Sequence, residues 1–189
     1  RIGGIAYDNH LPSLEQLTQW VNQIKEIGAE PMIQVSSRGT AEEAAAVVRY
    51  FNIETKNRVI FWNIGNEPWI ERGRPDDRTS LAPVIAVYVK AAASAMKAVA
   101  PTIQIYAPDE CDYFDGMYEA LVGGKDDITG KDAQGRYLVD GISWHRYVGY
   151  APENIRTDEL TTRGVEDFRT RMEKVQKRVE FANQLRSRG

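Results

Sequence analysis

The chain has 189 residues, long enough to bury the core of one domain. Hydrophobic residues make up 42% and charged residues 27%, the ordinary balance of a soluble globular protein. A net charge of −3 gives no electrostatic reason to expect nucleic acid or an anionic membrane as partner. No run approaches the roughly 20 apolar residues of a membrane span. The single Cys111 excludes an internal disulfide and a cysteine-based zinc site. It suits a cytosolic or a secreted protein equally. His10 and His145 are the only histidines and have no metal-ligand spacing, so neither a metal nor a cofactor is expected.

In chain order, Arg1 to Tyr7 reads as the end of a strand entering a glycine turn. Arg1-Ile2-Gly3-Gly4 without a leading Met reads like the middle of a longer protein. Ser13 with Gln16 forms a capping-box signature, and Leu14, Leu17, Trp20, Val21, Ile24 and Ile27 follow at helical spacing up to Gly28. Pro31 to Val35 is a short strand. Thr40 with Glu43 opens a second helix, with Val47, Val48 and Phe51 on its core face.

Asn57 to Trp69 then reads as a buried strand, apolar on both faces through Val59, Ile60, Phe61, Trp62 and Ile64. It ends in the polar group Asn66-Glu67-Pro68. Glu71 to Arg78 is a charged loop. Thr79 or Ser80 caps an Ala-rich helix to Val99. Ile103 to Ala107 is a strand with the polar exit Pro108-Asp109-Glu110-Cys111-Asp112, and Phe114 to Leu121 is helical. After the polar insertion 125–136, Leu138 to Trp144 is a strand leaving through His145-Arg146-Tyr147. Residues 151–160 read as irregular. Thr162 to Leu185 is a last helix, apolar at Val165, Phe168, Met172, Val175, Val179 and Phe181.

Strand and helix thus alternate about five times, which predicts a parallel sheet in an α/β fold. Polar residues close three successive strands, as in α/β barrels, where chemistry sits at the C-terminal strand ends. A doubly wound dinucleotide sheet should show a G-x-G-x-x-G turn, and Gly3-Gly4 is not one.

Four stretches carry a family likeness: Arg1-Ile2-Gly3-Gly4; GAEPMIQV at 28–35 with TAEEAA at 40–45; WNIGNEP at 62–68; and DGISWHRY at 140–147. Together they resemble the clan A retaining glycoside hydrolases, (β/α)8 barrels, with arabinofuranosidase-like and related polysaccharide-degrading families as the nearest likeness. The WNIGNEP stretch is the specific one. The resemblance implies a TIM barrel present as a partial barrel of about five βα units, strands two to six. Residues 1–189 would form one partial catalytic domain, with strand one and strands seven and eight outside it. A full barrel needs about 250 residues. The missing strands would belong to the same barrel or to a partner chain.

The same resemblance assigns roles. Glu67 is the expected general acid/base of a double displacement on a plant or algal polysaccharide. The nucleophilic Glu lies outside this chain. Retaining enzymes hold the two carboxyl groups roughly 5 to 5.5 Å apart. Asn66 would hydrogen-bond the sugar hydroxyl beside the anomeric carbon. His145 would orient substrate or Glu67, Tyr147 would touch the nucleophile, and Arg1 would keep that nucleophile ionised. Trp69 and Tyr150, beyond strand ends, are candidates for stacking on sugar, whereas Trp62 and Trp144 are out of phase and expected in the core. Glu110 is the nearest second carboxylate, but its strand does not match the nucleophile's, and a solvated or Arg-paired exit is the expectation for Asp109 and Glu110. The rival reading is non-catalytic: a carbohydrate-binding or truncated barrel domain that pairs with another chain.

Overall fold

A computed structural model describes residues 1–147 and 157–188. Four strands, β1 (Met32–Val35), β2 (Phe61–Ile64), β3 (Gln104–Glu110) and β4 (Gly141–Trp144), form one parallel sheet in the order β1-β2-β3-β4. Ile2 adds a parallel bridge to Ile33, donating to the Met32 carbonyl and accepting from the Gln34 N–H. The chain therefore runs through five parallel segments, each beside the one before. Right-handed crossovers that always step the same way keep their helices on one face of the sheet. A doubly wound sheet reverses direction part-way. The fold is α/β, with the described strands in sequence order across one parallel sheet.

The helices are α1 (Ile5–Asn9), α2 (Leu14–Glu26), α3 (Ala41–Arg49) with a π-turn at Tyr50–Glu54, α4 (Pro68–Glu71), α5 (Ala82–Val99), α6 (Asp115–Leu121) and α7 (Thr157–Arg188). Alternation along β2 sorts the two faces of the sheet. Trp62 and Ile64, fully buried, face the helix layer with Ile33 and Ile105 as strand neighbours. Trp62 packs near Phe51, ring centroids 6.5 Å apart, and donates its indole N–H to the Val59 carbonyl at 3.1 Å. The opposite face carries Gln34, Asn63 and Tyr106 in register. Asn63 is buried but satisfied: it donates to the Gly65 carbonyl and accepts from Ser143 Oγ.

Several local expectations differ from the outcome. Only Phe61–Ile64 of the 57–69 stretch is strand, because its partner β1 begins only at Met32. Ile5–Asn9 is a helix rather than strand exit. Ser13 does accept from the Gln16 N–H, but the Gln16 side chain bonds Gln19, so the capping box is half made; at Thr40 and Glu43 it is complete. Asp77, not Thr79 or Ser80, caps the segment entering α5, through a 3-10 turn at Arg78–Leu81. Residues 78–99 are long and apolar enough to cross a membrane, but Ile85, Val89, Ala93 and Met96 are buried in the core. α7 begins at Thr157, earlier than expected. Its apolar stripe is mostly open: Val175 is buried, while Val165, Phe168, Met172, Val179 and Phe181 are exposed. A hollow of about 690 Å³ beside Ile2, lined by Tyr7, Trp20, Ile24 and Ile27, opens at the other edge.

α1 is tied to β1 through Asp8. Its buried carboxylate accepts from Gln34 Nε2 and the Ser37 N–H, both at 2.8 Å. Burial pushes the acid up to about 6, a rise limited by the Ser37 hydrogen bond. An acid raised on folding binds its proton more tightly folded than unfolded. Its contribution is therefore complete below its ordinary 3.8 and lost as pH rises through about 6. The unfolding free energy from denaturant titrations is expected to fall across that window, by up to about 3 kcal/mol at about 1.4 kcal/mol per unit. In Asp8→Asn that step should vanish; a step of unchanged size would assign it elsewhere.

Candidate active site

After Ile64 the backbone turns sharply. Gly65 takes φ 78°, and a Cβ there would stand 3.1 Å from Ser37 Cβ and 3.3 Å from the Tyr88 hydroxyl. Glu67 follows at φ 47°, left-handed for a residue with a Cβ. Its carbonyl accepts from the Ile70 N–H at 2.9 Å as α4 begins, with Pro68 at the first helical position. Its N–H donates to the Asp109 carbonyl at 2.9 Å, and the His145 N–H donates to the Glu110 carbonyl at 2.9 Å. Main-chain bonds thus lace the exits of β2, β3 and β4 together beyond the ladder itself.

On this frame Glu67 Oε1 lies 2.7 Å from His145 Nε2. The Glu67 side chain is 13% exposed and that of His145 28%, so the pair is shielded yet open on one side. The other imidazole nitrogen, Nδ1, lies 3.7 Å from Asp109 Oδ1. Arg1 pairs with the other oxygen of Asp109 and donates to Asn66 Oδ1. Burial pulls the Arg1 guanidinium below its usual range, against the raising influence of Asp8, Glu67 and Tyr147. Five groups therefore meet: Asn66 and Glu67 past β2, Asp109 at the end of β3, His145 past β4, and Arg1, which reaches in from before the Ile2 bridge. Chemically the cluster offers a carboxyl that can exchange a proton with an imidazole, beside an amide and a fixed cation.

The remaining expected residues lie differently. Tyr147 is 65% exposed, its ring in edge contact with His145 at 5.6 Å between centroids. Trp69 is not an open platform. Its ring meets Phe114 edge-on at 5.8 Å, Arg78 stacks 4.7 Å from its centroid, and its indole N–H donates to the Pro75 carbonyl. The charged 71–78 loop folds over Trp69, whose indole N–H holds it at Pro75. Tyr150 lies outside the described residues. Trp62 is buried, and Trp144 packs against Tyr113 and Phe168.

Glu110 is neither solvated nor Arg-paired. It is fully buried, with Oε2 accepting from the Trp69 N–H and Oε1 from the Cys111 N–H, each at 2.8 Å. Burial raises this acid, opposed by those two bonds. It holds the first turn of α4, directly behind Glu67. In Glu110→Gln one amide N–H must face a main-chain N–H, donor against donor. A stability loss of about 1–3 kcal/mol is expected, read by urea denaturation; no loss would show that the helix end does not depend on this carboxylate.

Asp109, expected at a solvated or Arg-paired exit, pairs with Arg1 and lies beside His145. β3 pairs with β4 through Pro108↔Ser143 and then Glu110↔Trp144, so Asp109 is the extra residue of a bulge, at φ 60°. Bulges often re-aim side chains next to active sites. Among the described residues no cluster of three or more His, Cys, Asp or Glu could hold a metal ion.

No family model matches the sequence, and no curated protein matches it. Among solved structures, the crystal structure of CelM2, a bifunctional glucanase-xylanase protein from a metagenome library, is similar at 18% identity with a TM-score of 0.41. The match covers 62% of this chain and 28% of that one.

Proposed function

We propose that these residues form the acid/base half of a retaining glycoside hydrolase site, within a partial (β/α)8 barrel domain spanning residues 1–189. The observation that supports this best is the Glu67–His145 contact at the C-terminal ends of β2 and β4, with Asn66 adjacent. In this reading Glu67 protonates the leaving oxygen of a glycosidic bond and then deprotonates the water that releases the sugar from the nucleophile. Asn66 and Tyr147 contact the sugar, and Arg1 holds charge in place beside them. The substrate class is a plant or algal polysaccharide or an oligosaccharide from one.

In this reading neither of the two described carboxylates beside Glu67 serves as the nucleophile. Asp109 is engaged by Arg1 and His145, and Glu110 by two main-chain N–H groups. Neither carboxylate is free to attack. The test is hydrolysis of an aryl glycoside by the full protein and by its Glu67→Gln variant. Loss of turnover with an unchanged melting temperature is expected; equal turnover would reject Glu67 as acid/base.

A further inference from the structure

We infer that Asp109 is the positioning residue of this site: it keeps a proton on His145 Nδ1 and so reserves Nε2 for exchange with Glu67. The inference rests on the reading of Glu67 given above, but its geometry stands separately. Three observations carry it. First, Asp109 is the extra residue of the β3 bulge, at a left-handed φ of 60° that Asp tolerates, so its side chain is re-aimed out of the ladder. Second, the carboxylate is 5% exposed, and it is placed between Arg1 on one oxygen and His145 Nδ1 on the other, the latter at 3.7 Å. Contacts of this kind are often long in the unliganded state and tighten when substrate binds. Third, the Asp109 carbonyl receives the Glu67 N–H at 2.9 Å. One residue therefore holds the acid's main chain, pairs with the cation that reaches Asn66, and places a carboxylate oxygen beside the imidazole's second nitrogen.

The groups facing His145 decide what its ring can do. Glu67 Oε1 meets Nε2, Asp109 Oδ1 is nearest Nδ1, and Tyr147 touches the ring edge. Arg1 approaches from beyond Asp109. The tautomer of a histidine is set by the partner of its other nitrogen. An anionic acceptor beside Nδ1 favours the Nδ1–H form. In that form Nε2 can accept the Glu67 proton and return it. No proton is gained or lost by Asp109 itself.

Two variants separate this role from that of a simple turn residue. Glycine adopts φ 60° without penalty, so Asp109→Gly relieves the backbone while removing the carboxylate. Asp109→Asn keeps the shape and tolerates the same conformation. A turn residue would make the Gly variant as active as the parent and at least as stable. The positioning role predicts a kcat lower by about 10- to 100-fold in both variants, since a small misplacement beside the reacting groups costs rates of that order, with KM within a few-fold at temperatures where both variants are folded.

The second readout does not depend on catalysis. Imidazole 15N spectra of the full protein and of its His145→Gln variant assign His145 by the signals that disappear. The parent should show a protonated Nδ1, and Asp109→Gly should shift the ring toward the Nε2–H tautomer. Unchanged tautomer together with kcat within about twofold of the parent would overturn the inference. If Glu67→Gln were fully active, the glycosidase reading would fail, while the 15N result would still decide whether Asp109 sets the ring.

Discussion

Glu67→Gln in the full protein is expected to cut turnover of a natural glycoside, with its poor leaving group, by about 10²- to 10⁴-fold, the usual contribution of a positioned general acid. With a good leaving group the first step needs little protonation. The loss should then move to the second step, where Glu67 must take a proton from water. Activated aryl glycosides should therefore show a burst followed by slow turnover. Stability should hardly change: the Glu67 main chain makes the structural contacts, donating to Asp109 and accepting from Ile70, whereas its side chain contacts His145. A uniform loss across leaving groups would argue for a binding role instead.

The largest stability effect is expected in the layer behind the site. Trp62 is completely buried, faces Phe51, and bonds the Val59 carbonyl through its indole. It sits on the outer face of β2, so truncation leaves a cavity between the sheet and the helices. Trp62→Ala should cost about 3–5 kcal/mol, read as a lower urea midpoint at an unchanged slope. The Val59 carbonyl also accepts from Asn52 Nδ2 at 3.0 Å, so no orphaned acceptor adds to that figure. Any loss of activity should follow the folded fraction, because Trp62 faces the helix layer, where it packs on Phe51.

How much of this was legible in the sequence differs by element. The α/β order was readable, because alternating helical and strand periodicities are local signals. So were the ends of β2 and β4, where Asn66, Glu67 and His145 follow apolar runs. The reach of each ladder was not. Val59 and Ile60 are apolar enough to be strand, but strand pairing depends on where β1 starts. Asp109 and Glu110 were visible only as polar letters after Pro108. The bulge that turns one toward Arg1 and His145, and the other under α4, arises from the register of β3 against β4. No single-strand pattern encodes that register. Trp69 looked like an aromatic beyond a strand end. That Arg78 and Phe114 would enclose it depends on how the 72–77 loop closes. The stripe on α7 shows the converse: an amphipathic pattern is written in the chain, yet few of its apolar residues find cover among the described residues.

Azide rescue of Glu67→Ala in the full protein tests the central claim most directly. With an activated aryl glycoside, the variant should accumulate its glycosyl intermediate and turn over slowly. Azide needs no base, so it should restore the rate and yield a glycosyl azide with the anomeric configuration of the substrate. Turnover that azide leaves unchanged, or a product of inverted configuration, would contradict the assignment of Glu67 as the acid/base of a retaining enzyme.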